Sequence, residues 1–217
     1  ENSYSNGLTI FGTLEGYYSS AYDRYGNEVW NTGDENLVVY SANEYGQLFG
    51  FHWEPNWEHE FPSLEFDFDG NYIWTEPNDE FVHHEFIELP NGDYMGIVEE
   101  TQNRSVPQGG PWYNECFMQF GSLCNTDFFP WRGDKIVIWD RESKDVVWEW
   151  STFDHYSTQD FDGAYFPDIY GGSWAFAFNF FVYDWTHVNA FWHVPEDNAL
   201  YVSCRHLSRI TKIYLLN

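Results

Sequence analysis

Three short stretches of the sequence hold the side chains best suited to chemistry. They read "VHHEFIELPNGD" from Val82, "DWTHVN" from Asp184 and "SCRHLSR" from Ser203. Histidines can donate hydrogen bonds to an anion or transfer protons near neutral pH. An arginine guanidinium presents a planar fork of N–H donors that suits an oxyanion. Together these stretches favour a site for a sulfate, phosphate or carboxylate group.

The second stretch belongs to "DWTHVNAFW", which reads as a strand. Side chains two apart in an extended chain point to the same side, so the pattern places Trp185, His187 and Asn189 on one face. A buried polar group without a hydrogen-bond partner costs about 1–3 kcal/mol. The His187–Asn189 pair is therefore either a satisfied structural feature or part of a pocket that meets a ligand.

The other candidates follow from the same strand geometry. The strands that contain His187 and Arg205 flank the turn "PEDN" and are expected to pair, with His206 on the opposite face from Arg205 as a packing residue. The adjacent His83 and His84 are expected to place one ring on each face of their strand. Arg205 could also form an ordinary ion pair, because the chain has 35 acidic residues. No metal is predicted, since no H-E-x-x-H or cysteine-rich spacing is present.

A phrase that combines aspartate, a turn and tryptophan recurs along the chain. It reads "YDRYGNEVW" up to Trp30, "FDFDGNYIW" up to Trp74 and "WDRESKDVVW" up to Trp148. Each copy predicts a β-hairpin, in which two strands flank a tight turn. Asp23 and Asp67, in the first two copies, are 44 residues apart, which matches one four-stranded blade of a β-propeller.

These repeats predict an all-β chain. The next interval, from Asp67 to Asp140, is 73 residues long and fits a blade with an insertion at about 101–134. A second insertion is expected at about 151–183. We predict that residues 1–217 form a single, partial β-propeller domain of four-stranded blades, with a β-sandwich or jelly roll as the alternative. A fourth copy begins at "ITKIYLLN", so the ring is expected to be incomplete and to be completed by further chain, a second chain or a homo-oligomer.

Net charge, apolar content and cysteine spacing indicate which partners and which cellular compartment to expect. The formal net charge of -26 argues against nucleic acid, because phosphate binding needs a basic face. No run of apolar residues is long enough for a membrane span. Cys116 and Cys124 lie eight apart in a loop-like segment, which predicts a disulfide and an oxidising compartment, with two buried free thiols as the alternative. Cys204 is left over and is expected to be buried.

The three chemical stretches and the repeated phrase resemble the arylsulfotransferases that do not use the PAPS cofactor. The resemblance implies a six-bladed β-propeller, exported to the periplasm or outside the cell, that moves a sulfuryl group from a phenolic sulfate ester to another phenol without a cofactor. It implies catalytic roles for His84, His187 and Arg205, and substrate binding by His83 and Asn189. The small-molecule partners would be an aryl sulfate and a phenol.

One family feature has no match in this chain. The nucleophilic histidine of the family lies in a "QHD"-like stretch after another "G.IVW" phrase, and these 217 residues contain no such stretch. The nucleophile therefore stays unassigned. The alternative function is a non-catalytic propeller that acts as a binding or assembly subunit.

Overall fold

A computed structural model describes residues 7–53, 62–77, 82–109, 113–114, 116–117, 121–125, 127–160 and 183–215. These residues confirm the all-β prediction, since nearly all regular structure is strand. Most of the second predicted insertion, at 161–182, lies outside the described residues. No helix of the described residues is long and apolar enough to cross a membrane.

The described strands form four sheets. The first has the order β1 (Thr9–Thr13), β2 (Tyr18–Tyr22), β3 (Glu28–Asn31). The second has the order β4 (Leu37–Ala42), β5 (Leu48–His52), β6 (Ser63–Phe66), β7 (Tyr72–Thr75). The third has the order β8 (Val82–Glu88), β9 (Tyr94–Arg104), β10 (Phe129–Trp139), β11 (Val146–Ser151), and β12 (Tyr183–Asp184) pairs in parallel with β10. The fourth has the order β13 (Val188–Val194), β14 (Ala199–Cys204), β15 (Arg209–Tyr214).

Short helical turns connect some of these strands. One α-helical turn spans Thr152–His155, and 3-10 turns span Gly121–Asn125, Pro195–Asp197 and Arg205–Leu207. The chain divides into two compact units. The first unit comprises Glu1–Gly96 and Ile138–Trp148, and the second comprises Ile97–Val137 and Glu149–Asn217.

The three predicted hairpins form, and the aspartate of each one builds its turn. In the first turn, the Asp23 carboxylate accepts hydrogen bonds from the backbone N–H groups of Tyr25 and Asn27 at 2.8 and 2.9 Å. Asp67 accepts equivalent bonds in the second turn, and Asp140 accepts them in the third. An aspartate that bonds the backbone two residues further on stabilises a turn locally, which explains why the phrase requires this residue. The "FDFDGN" segment is thus a turn, as predicted.

The repeated tryptophans occupy equivalent positions in an edge strand of three of the four sheets. Trp30 lies in β3, Trp74 in β7 and Trp148 in β11. Within the first unit, the Trp30 indole donates a hydrogen bond of 2.6 Å to the carbonyl oxygen of Phe68. Trp74 donates one of 3.0 Å to the carbonyl oxygen of Arg141. Because each acceptor directly follows the aspartate of the next hairpin, the same bond links successive repeats.

The second unit has a core rich in aromatic residues and is crosslinked by a disulfide. Cys116 and Cys124 are bonded, with Cα atoms 6.0 Å apart, which confirms the predicted pair. Both are buried in a cluster that includes Trp131 and Trp185. Cys204 is a free, buried thiol, as expected.

The cysteine pairing gives a direct chemical prediction. Unreduced protein that has been unfolded in denaturant should react with one equivalent of a thiol reagent, because only Cys204 carries a thiol. The folded protein should react much more slowly, since Cys204 is buried. Mass spectrometry after alkylation measures both results. Three alkylated cysteines without reduction would contradict the disulfide.

Candidate functional site

Four residues of the second unit form the candidate site, and we call them the histidine cluster: Asp184, His187, Arg205 and His206. Asp184 is the last residue of β12, and its neighbour on the parallel strand β10 is Arg132. Arg205 and His206 begin the 3-10 turn that connects β14 to β15. The backbone N–H of Arg205 donates to the carbonyl oxygen of His187 at 3.0 Å, which fixes the turn beside the histidine.

The backbone around His187 differs from the predicted strand. Residues 185–187 belong to no strand, β13 begins only at Val188, and His187 has a φ of 45°, in the left-handed region. The prediction that Trp185, His187 and Asn189 lie on one face of a continuous strand was therefore wrong. Trp185 is buried, His187 is half-buried and Asn189 is exposed where the pairing register of β13 shifts.

An aspartate–histidine pair lies at the centre of the cluster. The Nδ1 atom of His187 is 2.6 Å from Oδ2 of Asp184. Burial raises the pKa of the Asp184 carboxyl, but the hydrogen bond and positive charge of His187, with the charges of His206 and Arg132, lower it to about 2. Asp184 is thus a carboxylate at neutral pH, and it holds the His187 ring so that a proton given to a ligand would come from Nε2.

His206 belongs to the cluster, so its predicted position on the opposite face was wrong. Its side chain is 4% exposed, and its ring centroid is 4.6 Å from that of His187. Its Nδ1–H donates to the carbonyl oxygen of Asp184 at 2.7 Å, which leaves Nε2 as the acceptor nitrogen, 3.4 Å from Nη1 of Arg205. The cause of the difference is the 3-10 turn at 205–207, which ends the alternation of a strand.

The two histidines are driven toward opposite protonation states. Burial lowers the pKa of His187, but the hydrogen bond and charge of Asp184, with the charge of Asp134, raise it above its usual value. Burial lowers the pKa of His206, and its contacts with Asp184 do not reverse this. A pair of titratable groups with pKa values pushed apart can divide proton donation and acceptance between them. His187 is suited to donate, and His206 is suited to accept.

Arg205 supplies an accessible positive group at the edge of the cluster. Arg205 is exposed, and its guanidinium contacts His206, whose ring lies tilted against that of His187. The positive charge of Arg205 is therefore near His187, and a planar guanidinium is suited to an oxyanion.

Sequence reasoning missed two buried charges beneath the cluster. Arg132 is 7% exposed and pairs with Glu99 at 3.1 Å, while its Nε has no hydrogen-bond partner. Asp134 is 3% exposed. The signal for both was a group of three charged residues, Arg132, Asp134 and Lys135, between the apolar ends of "FFPWRGDKIVIW". Charged residues are seldom buried unless they are paired, so such a pattern indicates a specific role.

His83 and His84 lie in β8 of the first unit. Their rings contact each other with centroids 5.0 Å apart, because His84 has a φ of 61° and interrupts the strand alternation. The expected placement on opposite faces was therefore wrong. Both His84 and His187 have a left-handed backbone, which is uncommon for residues other than glycine and is concentrated at functional sites. Their convergence with His187, Asn189 and Arg205 stays a prediction.

The cluster also has the residue types of a metal site. Ligand atoms of Asp184, His187 and His206 all lie within 4.8 Å of one another. However, hydrogen bonds already engage Nδ1 of both histidines, and the Arg205 guanidinium lies 3.4 Å from Nε2 of His206. A cation would have to displace these bonds beside a positive charge, so the geometry favours an anion.

Comparison with known proteins identifies the relatives of this part of the chain. Residues 125–215 match the arylsulfotransferase (ASST) family model. The resemblance expected from the sequence is thereby confirmed over these residues. None of the curated proteins matches the chain.

The matched residues contain the whole histidine cluster. They include His187, Asn189 and Arg205 of the predicted site, whereas His83 and His84 lie outside the match. An arylsulfotransferase domain implies small-molecule substrates.

Proposed function

We propose that the chain is part of an aryl sulfotransferase that moves a sulfuryl group from a phenolic sulfate ester to a phenol without PAPS. The observation that supports this most is the position of the histidine cluster within the residues that match the family. In this cluster His187, whose pKa is raised, is hydrogen-bonded to the Asp184 carboxylate, and the exposed Arg205 lies nearby.

The chemistry of sulfuryl transfer explains why these side chains suit the reaction. Over the whole transfer, the S–O bond to the donor phenol breaks and its electron pair leaves with the phenolate oxygen. An acceptor hydroxyl oxygen forms the new S–O bond, and its proton replaces the one that the leaving phenolate takes up. Negative charge spreads over the sulfuryl oxygens and the leaving oxygen. Arg205 would stabilise the sulfuryl oxygens, and His187 would give a proton to the leaving phenolate.

The remaining assignments follow from the resemblance. His84 would act with His187 and Arg205 in catalysis, and His83 and Asn189 would bind substrate. The exposure of Asn189 at the start of β13 leaves its amide accessible. The nucleophile is unassigned, because the "QHD"-like stretch of the family has no match here.

The wider setting of the site is proposed from the same resemblance. The chain would be a partial β-propeller with four-stranded blades, a single domain with insertions at about 101–134 and 151–183, completed by further chain or a partner. The tryptophan bonds between successive hairpins support a repeated, blade-like arrangement. The Cys116–Cys124 disulfide supports export to an oxidising compartment.

The experiment is an assay on the complete gene product with a phenolic sulfate ester that releases a coloured phenol. In the absence of PAPS, release should accelerate when an acceptor phenol is added, because the acceptor takes the sulfuryl group. Tight binding of the ester without release would contradict the transferase proposal. It would favour the non-catalytic binding or assembly subunit.

A further inference from the structure

His187 has a backbone conformation that needs external support. A residue other than glycine in the left-handed region is strained by about 1–3 kcal/mol and keeps that conformation only where its surroundings enforce it. With a φ of 45°, His187 has such a conformation. The groups that hold the residues on either side of it therefore decide where its imidazole lies.

One carboxylate oxygen holds both neighbours of His187. Oδ2 of Asp134 accepts a hydrogen bond of 2.5 Å from the Thr186 hydroxyl and one of 2.8 Å from the Val188 backbone N–H. All three residues are buried. A charged acceptor in a buried setting forms hydrogen bonds about twice as strong as neutral ones. The chain on both sides of His187 is thus attached to the same atom.

Asp134 is itself fixed by the short helix that follows β11. Its backbone N–H donates to the Thr152 hydroxyl at 3.0 Å. Gly133 permits this close approach, because a Cβ at that position would come within 2.6 Å of the same hydroxyl oxygen. Ser151 caps the helix by accepting the N–H of Phe153. The backbone of Asp134 is therefore held on β10 by a contact outside the loop at 185–187.

We propose that Asp134 is a positioning residue for His187, which it holds in its left-handed conformation by binding Thr186 and Val188. This role rests on the proposed sulfuryl transfer, in which the His187 ring must meet the leaving phenolate oxygen. Asp134 does not touch the substrate; it acts through the histidine.

The charge of Asp134 adds a second, measurable effect on His187. Within the part of the chain that the structure describes, the charged and titratable groups near the His187 ring include Asp184, Asp134, Arg205 and His206. The two carboxylates raise the pKa of His187 and the guanidinium lowers it. Replacing Asp134 by asparagine removes one of the raising charges, so the His187 pKa should fall, while an amide oxygen can still accept hydrogen bonds.

Three variants of the complete gene product separate the effect of the Thr186–Asp134 hydrogen bond from the effect of the Asp134 charge. Thr186→Val removes the hydroxyl that binds Asp134, and Thr186→Ser keeps it as the matched control. Asp134→Asn removes the charge. In each protein, kcat and KM for the phenolic ester are measured, and the His187 ring is titrated by nitrogen-15 NMR. The NMR titration needs no turnover and reports the folded state.

We expect Thr186→Val to lower kcat by up to about 10²-fold with little change in KM, as for a misplaced catalytic group. Thr186→Ser should stay near wild type, and Asp134→Asn should shift the His187 titration to lower pH. The proposal is overturned if Thr186→Val keeps the wild-type kcat, or if Asp134→Asn leaves the His187 titration unchanged. If wild type transfers no sulfuryl group, the proposed function fails, and the positioning role is decided by the titration of Thr186→Val. Displacement of the ring from Asp184 should lower the His187 pKa in Thr186→Val but not in Thr186→Ser, and an unchanged titration in Thr186→Val would overturn the positioning role.

Discussion

Replacing Arg205 with alanine is expected to lower kcat/KM for sulfuryl transfer by about 10²–10³-fold, the usual cost of removing one donor to the charge that grows in a transition state. Arg205 is an exposed residue, and its Nη1 lies 3.4 Å from Nε2 of His206. Its loss leaves the sulfuryl oxygens without their planar pair of donors. The measurement is the initial rate of coloured phenol release at several ester concentrations.

Arg24→Ala is the matched control for this change. Arg24 is also an exposed arginine, but it lies in the first hairpin turn with its guanidinium 4.7 Å from the Tyr25 ring centroid. Both variants remove one positive charge from a protein with a formal net charge of -26. Equal losses in the two variants would indicate long-range electrostatics and would contradict a local role for Arg205.

His187→Asn is expected to lower kcat/KM by about 10²–10⁴-fold, the range for loss of a general acid or base. Asparagine tolerates the left-handed backbone better than most residues, so the change removes the imidazole with little added strain. His193→Ala serves as the control, because His193 lies further along β13 and is absent from the cluster. A His187→Asn variant with wild-type kcat/KM would exclude proton donation by this ring.

The pH dependence follows from the direction of the His187 shift. Its pKa is raised, so the protonated donor persists above the usual titration range of histidine and is lost as the pH rises through the raised pKa. The kcat/KM of the wild type should therefore decline on its alkaline side. In His187→Asn this decline should disappear from the residual activity, whereas His193→Ala should retain it.

The repeat and the disulfide could be predicted because they depend on neighbours in sequence. Asp23 bonds residues two and four positions ahead, so the hairpin phrase contains its own turn chemistry. Cys116 and Cys124 are also close along the chain. By contrast, Asp134 meets Val188 across 54 positions, a contact that sequence spacing does not reveal. Periodicity failed at His187 because no local residue marks its left-handed backbone, which distant hydrogen bonds impose.

His206 shows how a short turn changes the interpretation of a site. If residue 206 were part of a strand, the His206 ring would face away from Arg205, and its replacement would have little effect on the rate of sulfuryl transfer. In the 3-10 turn it donates to the carbonyl oxygen of Asp184, and its ring contacts that of His187 in a tilted arrangement. No helix-forming pattern marks residues 205–207 in the sequence, so the position of His206 follows only from the structure.

The most direct measurement is mass spectrometry of the acceptor phenol after incubation with an aryl sulfate ester and no PAPS. The central claim is that the histidine cluster transfers the sulfuryl group. The wild-type complete gene product and the control variant with both Arg24→Ala and His193→Ala should form the sulfated acceptor. The variant with both Arg205→Ala and His187→Asn should form almost none. Equal amounts of sulfated acceptor from the two double variants would contradict the assignment of this cluster as the transfer site.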